Sequence, residues 1–391
     1  MSSGEQVTGG ASGGSAGTGA TTVTGGSTNA GGGTPGGGNT EASTSGGGSR
    51  LGGGVDAANG GSRLEGGVDS ASGGSTSSGD SRLDDGVDAA IRGPDASTGA
   101  GGTTGAARTI TDISYAGSSS TSQTLDLLLP ANARLPLPLV IRIHGGGFSS
   151  GDKAGEESGT AAKAILAKGY ALASVNYRLS GAAQFPAGAK DVKAAVRWLR
   201  AHAAEYGLDA DRFASWGESA GGYMAAMLGV TGDQATAFDD DSLGNSGVSS
   251  AVAAVVDWYG PTDLATMDSQ QTAHPPASCP SSWLQHTPVG SPEGKWLGGA
   301  LDTAAVSSKL AQANLVAYVA TAKALPLFII AHGDNDCQVP WGQSQELADA
   351  LAKVGNTANL TILPGASHGD GRFESTQSTP ALILLASRFG R

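Results

Sequence analysis

Residues 107–391 predict an α/β domain built on a mostly parallel sheet, and three observations carry that prediction. Short runs rich in Val, Ile, Leu or aromatics alternate with stretches of helical period, their apolar residues follow one another rather than falling at every second position, and Gly or Pro bounds them. Continuous apolar strands suit a parallel sheet covered on both faces, because neither side then meets water.

Six runs read as strands: Leu139–Ile143, Tyr170–Tyr177, Phe213–Trp216, Val252–Val256, Leu327–Ala331 and Leu360–Leu363. Helices fall between them. In DVKAAVRWLRAHAAEYG, Val192, Ala195, Val196 and Leu199 fall at i, i+3, i+4 and i+7, which gives one apolar stripe, and Gly207 is the expected stop. Gly169 closes AAKAILAKG in the same way, AGGYMAAMLGV follows the third strand, and Trp341–Val354 and Pro380–Phe389 supply two more helices. Ligands of such sheets bind beyond the carboxyl ends of the strands.

Of the 391 residues, 64 are glycine, and they crowd into the first quarter. Residues 1–106 are almost entirely Gly, Ser, Thr, Ala and Asp without one aromatic, too little apolar surface to offset the entropy of ordering, so they read as a disordered tether. Repeats begin at Ser49, Ser62 and Ser81 (SRLGGGVDAANGG, SRLEGGVDSASGG, SRLDDGVDAAIRG). Their irregular spacing and lack of a calcium-roll period mark duplication within a linker.

No basic run followed by an apolar stretch opens the chain, and nowhere do about eighteen apolar residues run together. The opening Gly/Ser/Thr tract resembles the tether behind a removed export signal or a lipid-modified cysteine. The expectation is an exported bacterial protein, secreted or tethered to the outer membrane, with any signal or lipid anchor upstream of Ser2. A net charge of −12 with scattered Lys and Arg excludes a nucleic-acid partner and disfavours anionic membranes. Two cysteines without histidines in matching spacing make no zinc site. In an exported protein Cys279 and Cys337 either pair or stand as two unrelated buried thiols.

The chemistry gathers at strand ends. After Phe213–Trp216 comes GESAGG, which fits G-x-S-x-G with Ser219 central: a strand turning abruptly into a helix leaves no room for neighbouring side chains and pushes the hydroxyl into the open. A serine nucleophile needs a base, and this order of elements requires the sequence Ser, acid, His. Of six histidines, His368 in PGASHGDG follows the last strand. His144 precedes the serine and reads as a support for the glycine loop, His202 lies on a helix, His274 and His286 belong to a loop-rich insertion, and His332 ends a strand. HGDNDCQVP offers Asp334 and Asp336, and the residue further into the loop, Asp336, is the better acid. Asp370 reads as a loop-closing carboxylate and Glu218 as a neighbour that supports the serine. HGGG after the first predicted strand lets Gly146 and Gly147 present N–H groups to a carbonyl oxygen gaining charge, with Ala220 supplying a third. Phe148 is a candidate pocket wall. Trp258, Tyr259, Trp283 and Trp341 are candidates to stack on an aryl group or sugar, against the plainer reading of core packing.

HGGGF, YGLDADRFASWGESAGG, VVDWYGPTDL, HGDNDCQVP and PGASHGDGRF together resemble the hormone-sensitive-lipase-like branch of the α/β-hydrolase superfamily, above all bacterial carboxylesterases and feruloyl-esterase-like enzymes. The resemblance covers residues 107–391. It implies a cofactor-free and metal-free serine esterase with Ser219, Asp336 and His368 as its triad and Gly146, Gly147 and Ala220 as its oxyanion donors. The implied substrates are short-chain acyl esters, with aryl, feruloyl or acetyl esters of plant polysaccharide as options. Residues 262–312, where relatives carry a substrate-shaping insertion, depart from the family by being rich in Ser, Pro and Gly without a strong helical pattern. Two rivals stand beside this reading. A serine peptidase of the same superfamily commonly carries a large gating domain, and a non-catalytic binding protein on this scaffold usually lacks a triad member.

Overall fold

The computed structural model describes residues 102–276, 278–279 and 285–391. The repeats, most of the expected tether and Trp283 lie outside the described residues. Residues 103–106, assigned above to the tether, instead join the folded part: Thr103 bridges to Arg134, and the Thr104 N–H donates to the Ala133 carbonyl at 2.8 Å.

Eight strands form one sheet: β1 (Arg108–Ser114), β2 (Thr124–Leu129), β3 (Leu137–Ile143), β4 (Ala171–Val175), β5 (Leu208–Glu218), β6 (Ala254–Trp258), β7 (Leu327–Gly333) and β8 (Asn359–Leu363). Their spatial order is β1-β2-β4-β3-β5-β6-β7-β8, antiparallel at β1–β2 and β2–β4 and parallel thereafter. Nine α-helices are described: α1 (Thr160–Ala167), α2 (Ala187–Ala201), α3 (Ala220–Thr231), α4 (Met267–Ala273), α5 (Pro292–Leu297), α6 (Ser307–Ala313), α7 (Leu315–Val319), α8 (Gly342–Lys353) and α9 (Ser378–Phe389). Two apolar clusters cover the two faces of the sheet. The larger contains Ile141, Phe213 and Leu228, and the other contains Val140, Trp216, Val256 and Leu385. Residues 140 and 141 belong to opposite clusters, as alternate side chains of a strand must.

The six predicted strands are β3 to β8, and the two antiparallel strands at one side of the sheet, β1 and β2, went unread. β1 (RTITDIS) is polar and largely exposed, and β2 (TLDLLL) carries a charge in its interior. The Asp126 carboxylate is buried against the Lys153 ammonium at 2.6 Å, a pairing with a residue far along the chain that the strand's own pattern does not reveal. The predicted stop at Gly207 is also displaced. α2 ends at Ala201, where the His202 N–H and Nδ1 both meet the Trp198 carbonyl, at 3.0 and 2.8 Å, and the imidazole stacks on the Trp198 ring. Gly207, at φ +66°, instead turns the chain into β5.

The segment 262–312 contains α4, α5 and all but the last residue of α6, helices of six or seven residues each. α5 is built from a start signal: Ser291 accepts from the Gly294 N–H, Pro292 occupies the first turn, and Gly298 closes the helix in the left-handed region. Among the described residues no helix is long and apolar enough to cross a membrane.

Parallel register brings the strand ends to one edge. Ile143 lies beside Gly217, Glu218 beside Trp258, and Gly333 beside Leu363. The loops leaving β3, β5, β6, β7 and β8 are therefore neighbours, although more than two hundred residues separate the first from the last.

Candidate active site

Ser219 stands between β5 and α3 at φ 54°, ψ −123°, a conformation that strains a non-glycine residue by roughly 1–3 kcal/mol. The surrounding glycines make it possible. A Cβ on Gly217 would lie 2.0 Å from the Gly221 carbonyl oxygen, and one on Gly221 would lie 2.0 Å from that of Ile143. The Ser219 N–H donates to the Trp258 carbonyl at 2.9 Å, which ties the turn to β6.

His368 Nε2 lies 2.9 Å from Ser219 Oγ, and its Nδ1 lies 2.7 Å from Asp336 Oδ2. A carboxylate can only accept, so Nδ1 carries a hydrogen and Nε2 presents a lone pair to the serine hydroxyl. Asp336 Oδ1 accepts from the N–H groups of Gln338 and Val339 at 2.8 and 2.9 Å, which fixes the carboxylate plane. Burial alone would raise the Asp336 carboxyl, but hydrogen bonds from His332 and His368 outweigh it and hold it well below the usual carboxylate range. Asp334, the alternative acid, is exposed and accepts instead from the Gly365 N–H at 2.6 Å. His332 has a role that its place at a strand end did not reveal: fully buried, it bonds Ser344 Oγ and the Val339 carbonyl, and it approaches Asp336 Oδ2 at 3.4 Å.

Behind the imidazole, the Tyr259 ring lies edge-on to His368 at 4.8 Å, and its hydroxyl donates to Glu218 Oε2 at 2.7 Å. Glu218 in turn binds Arg142 at 2.9 Å, and Arg142, buried and 5.3 Å above the Trp216 ring, also meets Glu156 at 2.5 Å. Glu218 thus supports the serine loop from below. His144 supports the glycine loop: its ring stacks on Tyr177 at 4.4 Å, and its Nδ1 lies 2.8 Å from the Gly145 carbonyl. Asp370 is paired with Arg372 at 2.7 Å within its own loop.

A cavity of about 570 Å³ opens over Ser219 and His368, and Gly147, Phe148, Ala220, His286, Pro292 and Glu293 contribute to its wall. Gly147 and Ala220 thus share the serine's space. Gly146, at φ +106°, shapes the turn before Gly147: its carbonyl accepts from Ser149 and Ser150, and a Cβ there would meet the Ser150 carbonyl oxygen at 2.2 Å. Trp258 and Tyr259, expected at the pocket, do not line it. β6 runs through Trp258, so that side chain packs under the sheet against Trp216 at 5.0 Å, and Tyr259 is turned inward by its bond to Glu218. Trp341 faces His274. Cys279 and Cys337 are joined, linking the insertion to the loop that carries Asp336.

His286 and Glu293 are among the pocket residues that sequence reasoning missed, and they are the titratable ones of those missed. The Ser-Pro-Glu start of α5 was a legible signal for Glu293, whereas nothing near His286 distinguished it.

Residues 125–351 match the BD-FAE family. The chain belongs to the BD-FAE family. Among curated proteins, this BD-FAE chain is 25% identical over 252 residues to Esterase LipC of Mycobacterium tuberculosis, covering 64% of the chain and 57% of LipC. It is 30% identical over 220 residues to the probable carboxylic ester hydrolase LipM of the same organism, covering 56% of the chain and 45% of LipM. The BD-FAE chain thus spans about half the length of these curated relatives. Among solved structures, a truncated carbohydrate esterase from gut microbiota superposes with TM-score 0.62 at 28% identity, over 73% of this chain and 97% of that one. The architecture is that of α/β-hydrolase esterases.

Proposed function

We propose that this BD-FAE protein is a serine esterase that hydrolyses carboxylic esters through an acyl-enzyme on Ser219. The observation that carries the reading is the line of Ser219 Oγ, His368 and Asp336 at 2.9 and 2.7 Å, with Ser219 and His368 on the wall of one cavity. As Ser219 Oγ attacks the ester carbonyl carbon, His368 Nε2 takes its proton, and Asp336 stabilises the imidazolium. The N–H groups of Gly146, Gly147 and Ala220 receive the oxyanion. The tetrahedral intermediate collapses, the alcohol leaves with the proton from Nε2, and water then cleaves the acyl-enzyme by the same relay, releasing the acid.

The carbohydrate esterase likeness, with nearly the whole of that structure covered, favours acetyl or aryl esters on carbohydrate as substrates. The wall of small loops and a six-residue helix favours short acyl groups over long chains. The Cys279–Cys337 bond supports an exported enzyme, since disulfides persist in oxidising compartments, and residues 1–101 would then be its tether.

Ser219→Ala tests the reading. Turnover of p-nitrophenyl acetate should fall by at least about 10⁴-fold and fluorophosphonate labelling should vanish, with the thermal transition retained. Undiminished turnover in the variant would sink it.

A further inference from the structure

The cavity wall holds a second imidazole–carboxylate pair that the proposed reaction does not use. His286 and Glu293 are each 4% exposed, and His286 Nδ1 lies 3.3 Å from Glu293 Oε2. Both line the cavity that contains Ser219 and His368. His286 Nε2 is buried and has no hydrogen-bond partner among the described residues. A buried polar atom left unmatched is costly, so one on a residue of the cavity wall points to a ligand group that completes it.

The surroundings keep the pair in position. The His286 N–H donates to Asp268 Oδ1 at 2.6 Å, and its carbonyl accepts from Ser291 Oγ at 2.6 Å. That same Ser291 oxygen caps α5, the helix that carries Glu293, so one serine sets the spacing of the pair. α5 also abuts the glycine loop: a Cβ on Gly147 would lie 3.1 Å from Pro292 Cβ.

We propose that His286, oriented by Glu293, is a specificity-determining residue whose Nε2 accepts a hydrogen bond from a hydroxyl group of the substrate. The carboxylate draws the imidazole hydrogen to Nδ1 and leaves the Nε2 lone pair without a partner, on a ring that belongs to the cavity wall. An O–H donor satisfies that lone pair, whereas a methylene in its place leaves it desolvated and unpaired, so the site discriminates against esters lacking the hydroxyl. This inference rests on the esterase reading above.

The test uses two matched pairs of esters. Methyl 4-hydroxycinnamate against methyl cinnamate places the hydroxyl on the acyl group, and 2-hydroxyethyl acetate against propyl acetate places it on the alcohol. In the wild-type protein, kcat/KM should favour the hydroxylated member of one pair by about tenfold or more, and the pair that responds tells which half of the ester His286 meets. In His286→Leu that ratio should fall towards one, and in His286→Gln, which keeps an acceptor oxygen, it should largely survive. Ratios near one for both pairs in the wild type overturn the proposal, as does a His286→Leu ratio equal to the wild-type ratio. Should His286→Leu not fold, the wild-type ratios and His286→Gln still decide. Absence of p-nitrophenyl acetate turnover in the wild type strikes the esterase reading instead.

Discussion

Phe148 and Trp296 stack face to face, with centroids 4.0 Å apart and planes 8° from parallel. Phe148 follows the glycine loop at φ 58°, and Trp296 belongs to α5 in the insertion, so this contact joins two parts of the cavity wall that are distant in sequence. The Tyr223 ring meets both edge-on, at 5.6 and 5.2 Å, and brings in the helix behind Ser219.

Trp296→Ala should therefore act on stability and activity together. Loss of a buried Trp lowers stability by about 3–5 kcal/mol, and without its backing the glycine loop loses the position from which Gly147 faces Ser219. Urea denaturation and kcat for p-nitrophenyl acetate measure the two effects, and Trp296→Phe should recover most of both. A destabilised Trp296→Ala protein with wild-type kcat would mean that the loop stands without the insertion.

The contact also marks where the sequence stops being informative. Ser219 and His368 were legible because each follows an apolar strand, and strand ends in a parallel sheet converge by topology. The glycines at 217 and 221 were legible because their lack of side chains is itself the signal, and the gaps of 2.0 Å give the reason. β2 was not legible, because its buried Asp126 finds its Lys153 partner only after folding. Trp258 and Tyr259 were misplaced for a related reason: which face of the sheet a strand-end aromatic takes depends on register and on a bond to Glu218, neither of which is encoded nearby. His286 became visible as a pocket residue only once α5 had carried Glu293 beside it.

Asp334 and Asp336 stand two residues apart and are expected to differ sharply on substitution. Asp336→Asn keeps the volume but lets the amide donate to His368 Nδ1, so that Nε2 carries the ring hydrogen and presents it, rather than a lone pair, to Ser219. A fall in kcat of about 10⁴-fold is expected. Asp334→Asn changes an exposed acceptor for the Gly365 N–H and should leave stability within about 1 kcal/mol, with catalysis intact. Comparable losses in the two variants would remove Asp336 from its assigned place.

Two of the buried carboxylates, Asp257 and Asp336, should respond to pH in opposite senses. Full burial pushes the Asp257 carboxyl up to about 6 from 3.8, only partly offset by the N–H of Gly260 and the field of His332, and its Oδ2 has no partner among the described residues. The unfolded chain releases this proton near pH 4 while the native protein holds it to about 6, so stability drains away as pH rises through that window. The penalty reaches about 3 kcal/mol above it. Asp336 is held below its ordinary value, so its contribution is present above the ordinary carboxylate range and is lost as pH falls through the depressed folded value. Asp257→Asn, whose amide oxygen can still accept from Gly260, should accordingly gain about 2 kcal/mol relative to wild type between pH 4 and pH 8. Asp336→Asn should not gain over that interval. Urea titrations of the three proteins at several pH values decide the matter, and a pH-independent difference between Asp257→Asn and wild type would show that this carboxyl titrates alike in the native and unfolded chains.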